Sequence, residues 1–330
     1  MESTTLTFDP DRLRPNADLR GADLRGVALD GLDLTGADLT SADLRGIKVV
    51  GAILEGVDFS GADLTRTTFE ECLLSGATFR EARLDEATLT ACVADRADFR
   101  GASLLRCTFE ASMLEAARFG GCDLSGARLG GSILAGADLA GAKLVGADLE
   151  KTFLRAANLA GVDCTDAVLS GAILEDATAP GAVFRNAFLV ATFARRADLS
   201  GCDFSGAKLS VGTFERATLA RATFFHTTAE QAIFEHADLR EAKLSQSTFT
   251  FSNFVGATFV GAQAGASSFF GADFFWASLD GFGRAQCDFE SARMPEPVTP
   301  AFGPGTAPPP VRLVPLHRQP ASASQSRSDA

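Results

Sequence analysis

The sequence predicts an all-β solenoid of short flat sides, and three observations carry that prediction. A five-residue beat runs from Asn16 to Met294 without slipping: of the 56 unit centres from Leu19 to Met294, 47 are Leu or Phe, and the residue two before the centre is Ala in 34 units. A period of five matches neither the 3.6 of an amphipathic helix nor the two of an alternating strand, so neither explains it. The residue just before each centre repeats on a longer period of 20, which means four units close one coil. Internal repetition of this kind decides an architecture before any other signal is read. Two inward positions followed by three outward ones suit a short extended segment and a corner. Gly, Ser, Asp and Arg are frequent after the centre, where the chain must turn, and Gly serves where unusual dihedrals are needed.

The elements follow in order. Residues 1–15 precede the beat, and Leu6, Phe8 and Leu13 are suited to lie across the open first coil as a cap, since a terminal repeat otherwise wets its apolar interior. Residues 16–294 are the repeat body. About 14 coils at about 4.8 Å each give a stack about 67 Å long, and matching interior positions form ladders. Leu24 to Leu144 is one Leu ladder, and Phe214, Phe234, Phe254 and Phe274 form a stacked Phe column. Near the end, Phe282 replaces the small residue and Arg284 takes a centre. A guanidinium is not buried unpaired, so distortion of the last coil is expected. Residues 295–330 differ in kind: nine of the 12 prolines lie there, before a Ser-rich end, which reads as a disordered or polyproline tail.

Composition excludes several functions. The net charge of −12 opposes bulk binding to phosphate backbones. No run of 18 apolar residues spans a membrane, and Met1-Glu2-Ser3-Thr4-Thr5 lacks the basic start and apolar run of a signal peptide, so a cytoplasmic protein is expected. The seven cysteines, Cys72, Cys92, Cys107, Cys122, Cys164, Cys202 and Cys287, all fall at inward positions. Their odd number and the lack of a Cys-x-x-Cys spacing favour small buried side chains over a disulfide or metal site. His226, His236 and His317 have no metal-ligand spacing. There is no Gly-x-Ser-x-Gly elbow and no phosphate loop. No catalytic, cofactor or metal residue is nominated, and a non-enzymatic protein is expected.

Repeated Ala-Asp-Leu-x-Gly, as in Asn16–Thr65, resembles the pentapeptide-repeat family over roughly 85% of the chain. The resemblance implies a right-handed quadrilateral parallel β-helix, one unit per side, with the central residue and the small residue two before it pointing inward.

Three outward features carry the functional expectation. Sorted by side, the residue before the centre is apolar on one side in nine of 14 coils: Ile53, Leu73, Val93, Met113, Ile133, Phe153, Ile173, Phe193 and Ile233. The other sides lack such a stripe, so β-branched tolerance on a pleated wall does not explain it. A stripe of this length exceeds what a soluble monomer leaves exposed, which points to a protein partner, a second copy or the chain's own tail. Phe251, Phe270, Phe275 and Trp276 form an outward aromatic patch near the C-terminal end. In quinolone-resistance members of the resembling family, C-terminal coils form a dimer interface, so a homodimer through this patch is one expectation and a docked tail the other.

The third feature is acidic. Resemblance to those members suggests mimicry of DNA toward a type II topoisomerase such as DNA gyrase, centred on Asp18, Asp38, Asp58 and Asp98. Residues 1–294 carry 40 acidic and 27 basic residues, about a third of the charge density of a duplex of equal length. A protein-interaction scaffold is therefore the leading expectation, gyrase modulation the alternative, and a role as accessory or cargo of a bacterial secretion system the third.

Overall fold

Each unit becomes one side of a square coil because its corner closes locally. The Ala22 amide donates to the Leu19 carbonyl at 3.1 Å, and Gly21, third in that turn, has φ +62°. A turn that needs positive φ at its third residue selects Gly or strains whatever replaces it. Every fifth residue from Asn16 to Ser291 adopts this conformation, 25 of them Gly and 31 of them not. The computed structural model describes residues 9–295. All of the predicted tail 295–330 but its first residue lies outside them, as do the capping residues Leu6 and Phe8.

Coils stack in register at an offset of 20 residues. Asp18 pairs with Asp38, Asp23 with Asp43 and Asp33 with Ile53, all parallel, and the pairing continues to Asp273 with Arg293. Where three consecutive residues pair, strands appear: β1 Lys48–Val50, β2 Thr68–Glu70 and β3 Thr88–Thr90 in one sheet, β4 Gln263–Gly265 and β5 Gly283–Ala285 in another. The fold is thus the expected right-handed quadrilateral parallel β-helix. We number its sides by their first centres: side one from Leu19, two from Leu24, three from Leu29 and four from Leu34.

The interior is closed. Centres and the residues two before them are buried along the body. The expected Phe214–Phe234–Phe254–Phe274 column is present, with centroids 5.0–5.1 Å apart. A second column, Phe59–Phe79–Phe99–Phe119 on side one, stacks at 4.7–5.0 Å. Polar side chains at the small inward position are satisfied: Ser112 and Thr192 donate to the carbonyls of Leu89 and Leu169 at 2.7 and 2.9 Å, as buried hydroxyls must. The cysteines among the described residues are free, and all but Cys287 are buried. Burial raises the Cys122 thiol to about 11, which removes the thiolate a reactive cysteine needs.

The ends are finished differently. Pro10–Arg12 is a 3₁₀ turn capped by the Asp9 carboxylate, and Leu13 packs on the core beneath it. At the other end the expected distortion is absent. Ala264 stays in register with Arg284, whose side chain remains exposed with its guanidinium 5.8 Å from the Phe289 ring centre. Phe282 turns inward against Phe259 and Phe269 and covers the last layer. A terminal coil has no following coil to bury its centre, so Arg284 faces solvent without breaking the ladder.

Candidate interaction face

The apolar stripe is one unbroken ladder on side four. Parallel pairing links Ile53, Leu73, Val93, Met113, Ile133, Phe153, Ile173, Phe193, Thr213 and Ile233 in that order. Exposure alternates along it. Leu73, Met113, Phe153, Phe193 and Ile233 stand out at 37–47% exposure, and the residues between them are recessed. From Ile53 to Thr213 the alternation follows side-chain shape, whereas Ile233 stands out although it branches at Cβ. Ile53, Val93, Ile133, Ile173 and Thr213 branch at Cβ and keep their mass near the wall. Leu, Met and Phe branch further out or not at all, and reach past them.

The aromatic patch turns out to border the same side. Side four ends at two corners: one holds Phe251 and Phe270, the other Phe275 and Trp276. Phe251 meets Phe270 edge to face at 5.4 Å, and Phe275 stacks on Trp276 at 4.6 Å. The Arg293 guanidinium covers Phe275 at 3.8 Å. Phe251 and Trp276 are 57% and 71% exposed. The stripe and the patch, two features in the sequence, are thus one face: apolar along its middle from Ile53 to Ile233, then along both edges where Asn253 and Asp273 occupy the middle. Sorting the corner residues by the same 20-residue period would have shown this.

Backbone strain marks the same face. Among the 31 non-Gly residues at positive φ, the three large apolar ones are Val211, Phe251 and Trp276, at +54°, +57° and +59°. All three sit at the corners of side four. A β-branched or bulky residue in this region is an outlier.

The Phe275 corner also carries a line of ion pairs. Arg196 holds Asp176 at 2.6 Å, and Glu215 lies 3.4 Å from Arg195 and 3.6 Å from Arg216. Further up, an open groove along this corner is lined by Ser75, Asp95, Arg96 and Glu115. An apolar centre with a charged rim is the anatomy of a protein interface.

The acidic residues are placed together but engaged locally. Asp18, Asp38, Asp58, Thr78 and Asp98 form one ladder on side one. Each Asp accepts from the backbone amide two residues on, as Asp58 does from Ser60 at 2.9 Å and Asp38 from Thr40 at 3.0 Å. This Asx-type bond caps the corner and explains why Asp recurs before the centre. Paired hydrogen bonds from Arg20 lower the Asp18 pKa to about 2. Asp98 is nearly buried between Arg100 and Arg80, at 2.7 and 2.8 Å, with Arg118 at 4.0 Å.

No cluster of His, Cys, Asp and Glu able to hold a metal occurs among the described residues, and no helix there is long and apolar enough to cross a membrane.

The repeat matches two family models. The family model described as pentapeptide repeats (8 copies) matches residues 17–56 and, in overlapping segments, 122–269. A related one, pentapeptide repeat region, matches 62–139. Among solved structures, the chain is similar to HetL of the cyanobacterium Nostoc sp., a pentapeptide repeat protein involved in heterocyst differentiation regulation. Identity is 25%, with 66% of this chain and 90% of that one covered and a TM-score of 0.41. It is also similar to full-length QnrB1, a plasmid-mediated fluoroquinolone resistance protein, at 22% identity over 55% of this chain and 83% of that one, TM-score 0.32. The A-module of the Azotobacter vinelandii mannuronan C-5 epimerase AlgE6 matches at 9% identity over 81% and 89%, TM-score 0.27. No curated protein matches the chain.

Proposed function

Since the chain belongs to the pentapeptide-repeat family, whose closed interior leaves only outward columns free to act, we propose that it is a non-enzymatic interaction scaffold. Its working surface is side four with its two corners. The observation that carries this reading is concentration. Among the described residues, of the 12 large apolar side chains that are exposed, eight lie on this side or its corners: Leu73, Met113, Phe153, Phe193, Val211, Ile233, Phe251 and Trp276. Five of the 12 outward columns lie there, so even use of the surface would place about five. Apolar area of this extent on a body with a net negative charge is stabilised by being covered. On this reading the protein works in the cytoplasm, where its thiols stay reduced.

The test is substitution of outward residues only. Ile133→Asp with Phe153→Asp leaves every inward side chain in place, so the circular dichroism spectrum and melting temperature should change little. Affinity purification of the full chain should recover partners that the double variant does not. Identical recovery by both would remove the basis for the reading.

Modulation of a type II topoisomerase through the Asp18–Asp98 ladder is the weaker reading. Those carboxylates already accept from backbone amides, hydroxyls and guanidinium groups of their own chain. Supercoiling by purified gyrase is expected to be unaffected by this protein, and inhibition or protection would reverse the ranking.

A further inference from the structure

Resting on the interaction reading above, we propose that the occupant of the side-four stripe is a second copy of this chain, laid antiparallel against the first about a twofold axis between the Met113 and Ile133 coils. The alternation of the stripe carries the inference. Protruding residues recur every second coil, about 9.6 Å apart, with recessed β-branched residues midway between them. The best complement to such a surface has apolar knobs at that same spacing, offset by one coil. A twofold axis placed between two coils supplies that automatically, because each residue then faces one an odd number of coils away. Met113 enters the hollow at the partner copy's position 133, Leu73 the hollow at position 173, and the knob Phe193 the hollow at position 53. A parallel twofold would instead set knob on knob.

Charge agrees with this register. The axis lies in the interface across the side, so each corner faces the same corner of the other copy. Glu55 then lies near the Arg195 and Arg196 corner, and Glu115 lies near Ala135 and Gly136. Opposed or neutral groups at a rim favour the pairing that brings them together and disfavour others. The overlap covers eight coils, about 38 Å by about 13 Å, or roughly 1,000 Å² in total, the lower bound for a specific interface. The dimer is therefore reversible. Phe251, Phe275 and Trp276 lie beyond the overlap and stay open.

Sedimentation velocity on the full chain between about 1 and about 100 µM should show a concentration-dependent dimer. Met113→Asp with Ile133→Asp should weaken it by more than about 100-fold while circular dichroism is retained. Register is tested by a short bismaleimide on copies in a Cys287→Ser background. A mixture of Leu73→Cys and Ile173→Cys chains should cross-link strongly, and Leu73→Cys chains alone should not. A monomer throughout the range, or cross-linking of Leu73→Cys to itself, would overturn the proposal. If the monomer's stripe variant also loses a heterologous partner, only the second copy falls. If that variant loses nothing, the scaffold reading falls with it.

Discussion

Val211 shows how one residue can oppose the fold that holds it. It is β-branched, exposed, and fixed at φ +54° in a corner that 25 other units fill with Gly. Left-handed backbone costs an ordinary residue about 1–2 kcal/mol, and Asn tolerates it better. Val211→Asn should therefore raise the urea midpoint by an amount worth about 1 kcal/mol, and it should weaken binding at side four if the methyls are there to be used. Asp98 is the opposite case, a side chain the fold rewards. Arg100 hydrogen bonds first, then Arg80, hold its carboxyl below the usual carboxylate range, against the desolvation that opposes them. A carboxyl depressed in the folded state contributes stability above its unfolded pKa of about 4, and that contribution fades as pH falls toward the folded value. Asp98→Asn should cost about 1–2 kcal/mol at neutral pH and flatten the acid limb of the stability curve below about pH 4. Neither role was legible beforehand. Nothing in a Val signals positive φ, and an Asp before a centre looks the same whether it faces solvent or three arginines.

At the scale of a coil, the interior was largely legible and the outside less so. Leu, Phe and Ala at fixed positions state which atoms are buried, because burial needs only the right polarity at the right phase. The Phe214–Phe274 column followed directly. The strands did not, since most coils make only isolated bridges and whether three residues pair in a row depends on small local angles. Stacked rings also predict how damage spreads. Phe99 lies 4.7 Å from both Phe79 and Phe119 and edge-on to Phe109 at 5.5 Å. Phe99→Ala should cost about 3–5 kcal/mol. Each coil touches only its neighbours, so amide exchange should accelerate around residues 79–119 and remain slow around 214–274.

For the body as a whole, position along the sequence is also direction in space. Deleting residues 123–127 removes one unit, keeps every later Leu or Phe inward, and moves each later outward residue by one side. The coils should persist by circular dichroism, while the stripe is cut between Met113 and Ile133 and binding at side four is lost. Deleting two full coils, 123–162, should restore a shorter face with its alternation intact and recover binding, a comparison read by the same pull-down. The single face shared by stripe and aromatic patch was missed in the sequence for this reason: linear distance hides angular coincidence, and Trp276 comes to border the side that holds Ile53 only once the turns are counted. The alternation of tall and short residues on side four has a mechanical meaning of its own. Any body that meshes with it can slip only by whole teeth, about 9.6 Å at a time, since a shift of one coil sets crest against crest. Side four is a toothed rack, and its pitch sorts permitted alignments from forbidden ones before any single contact is strong.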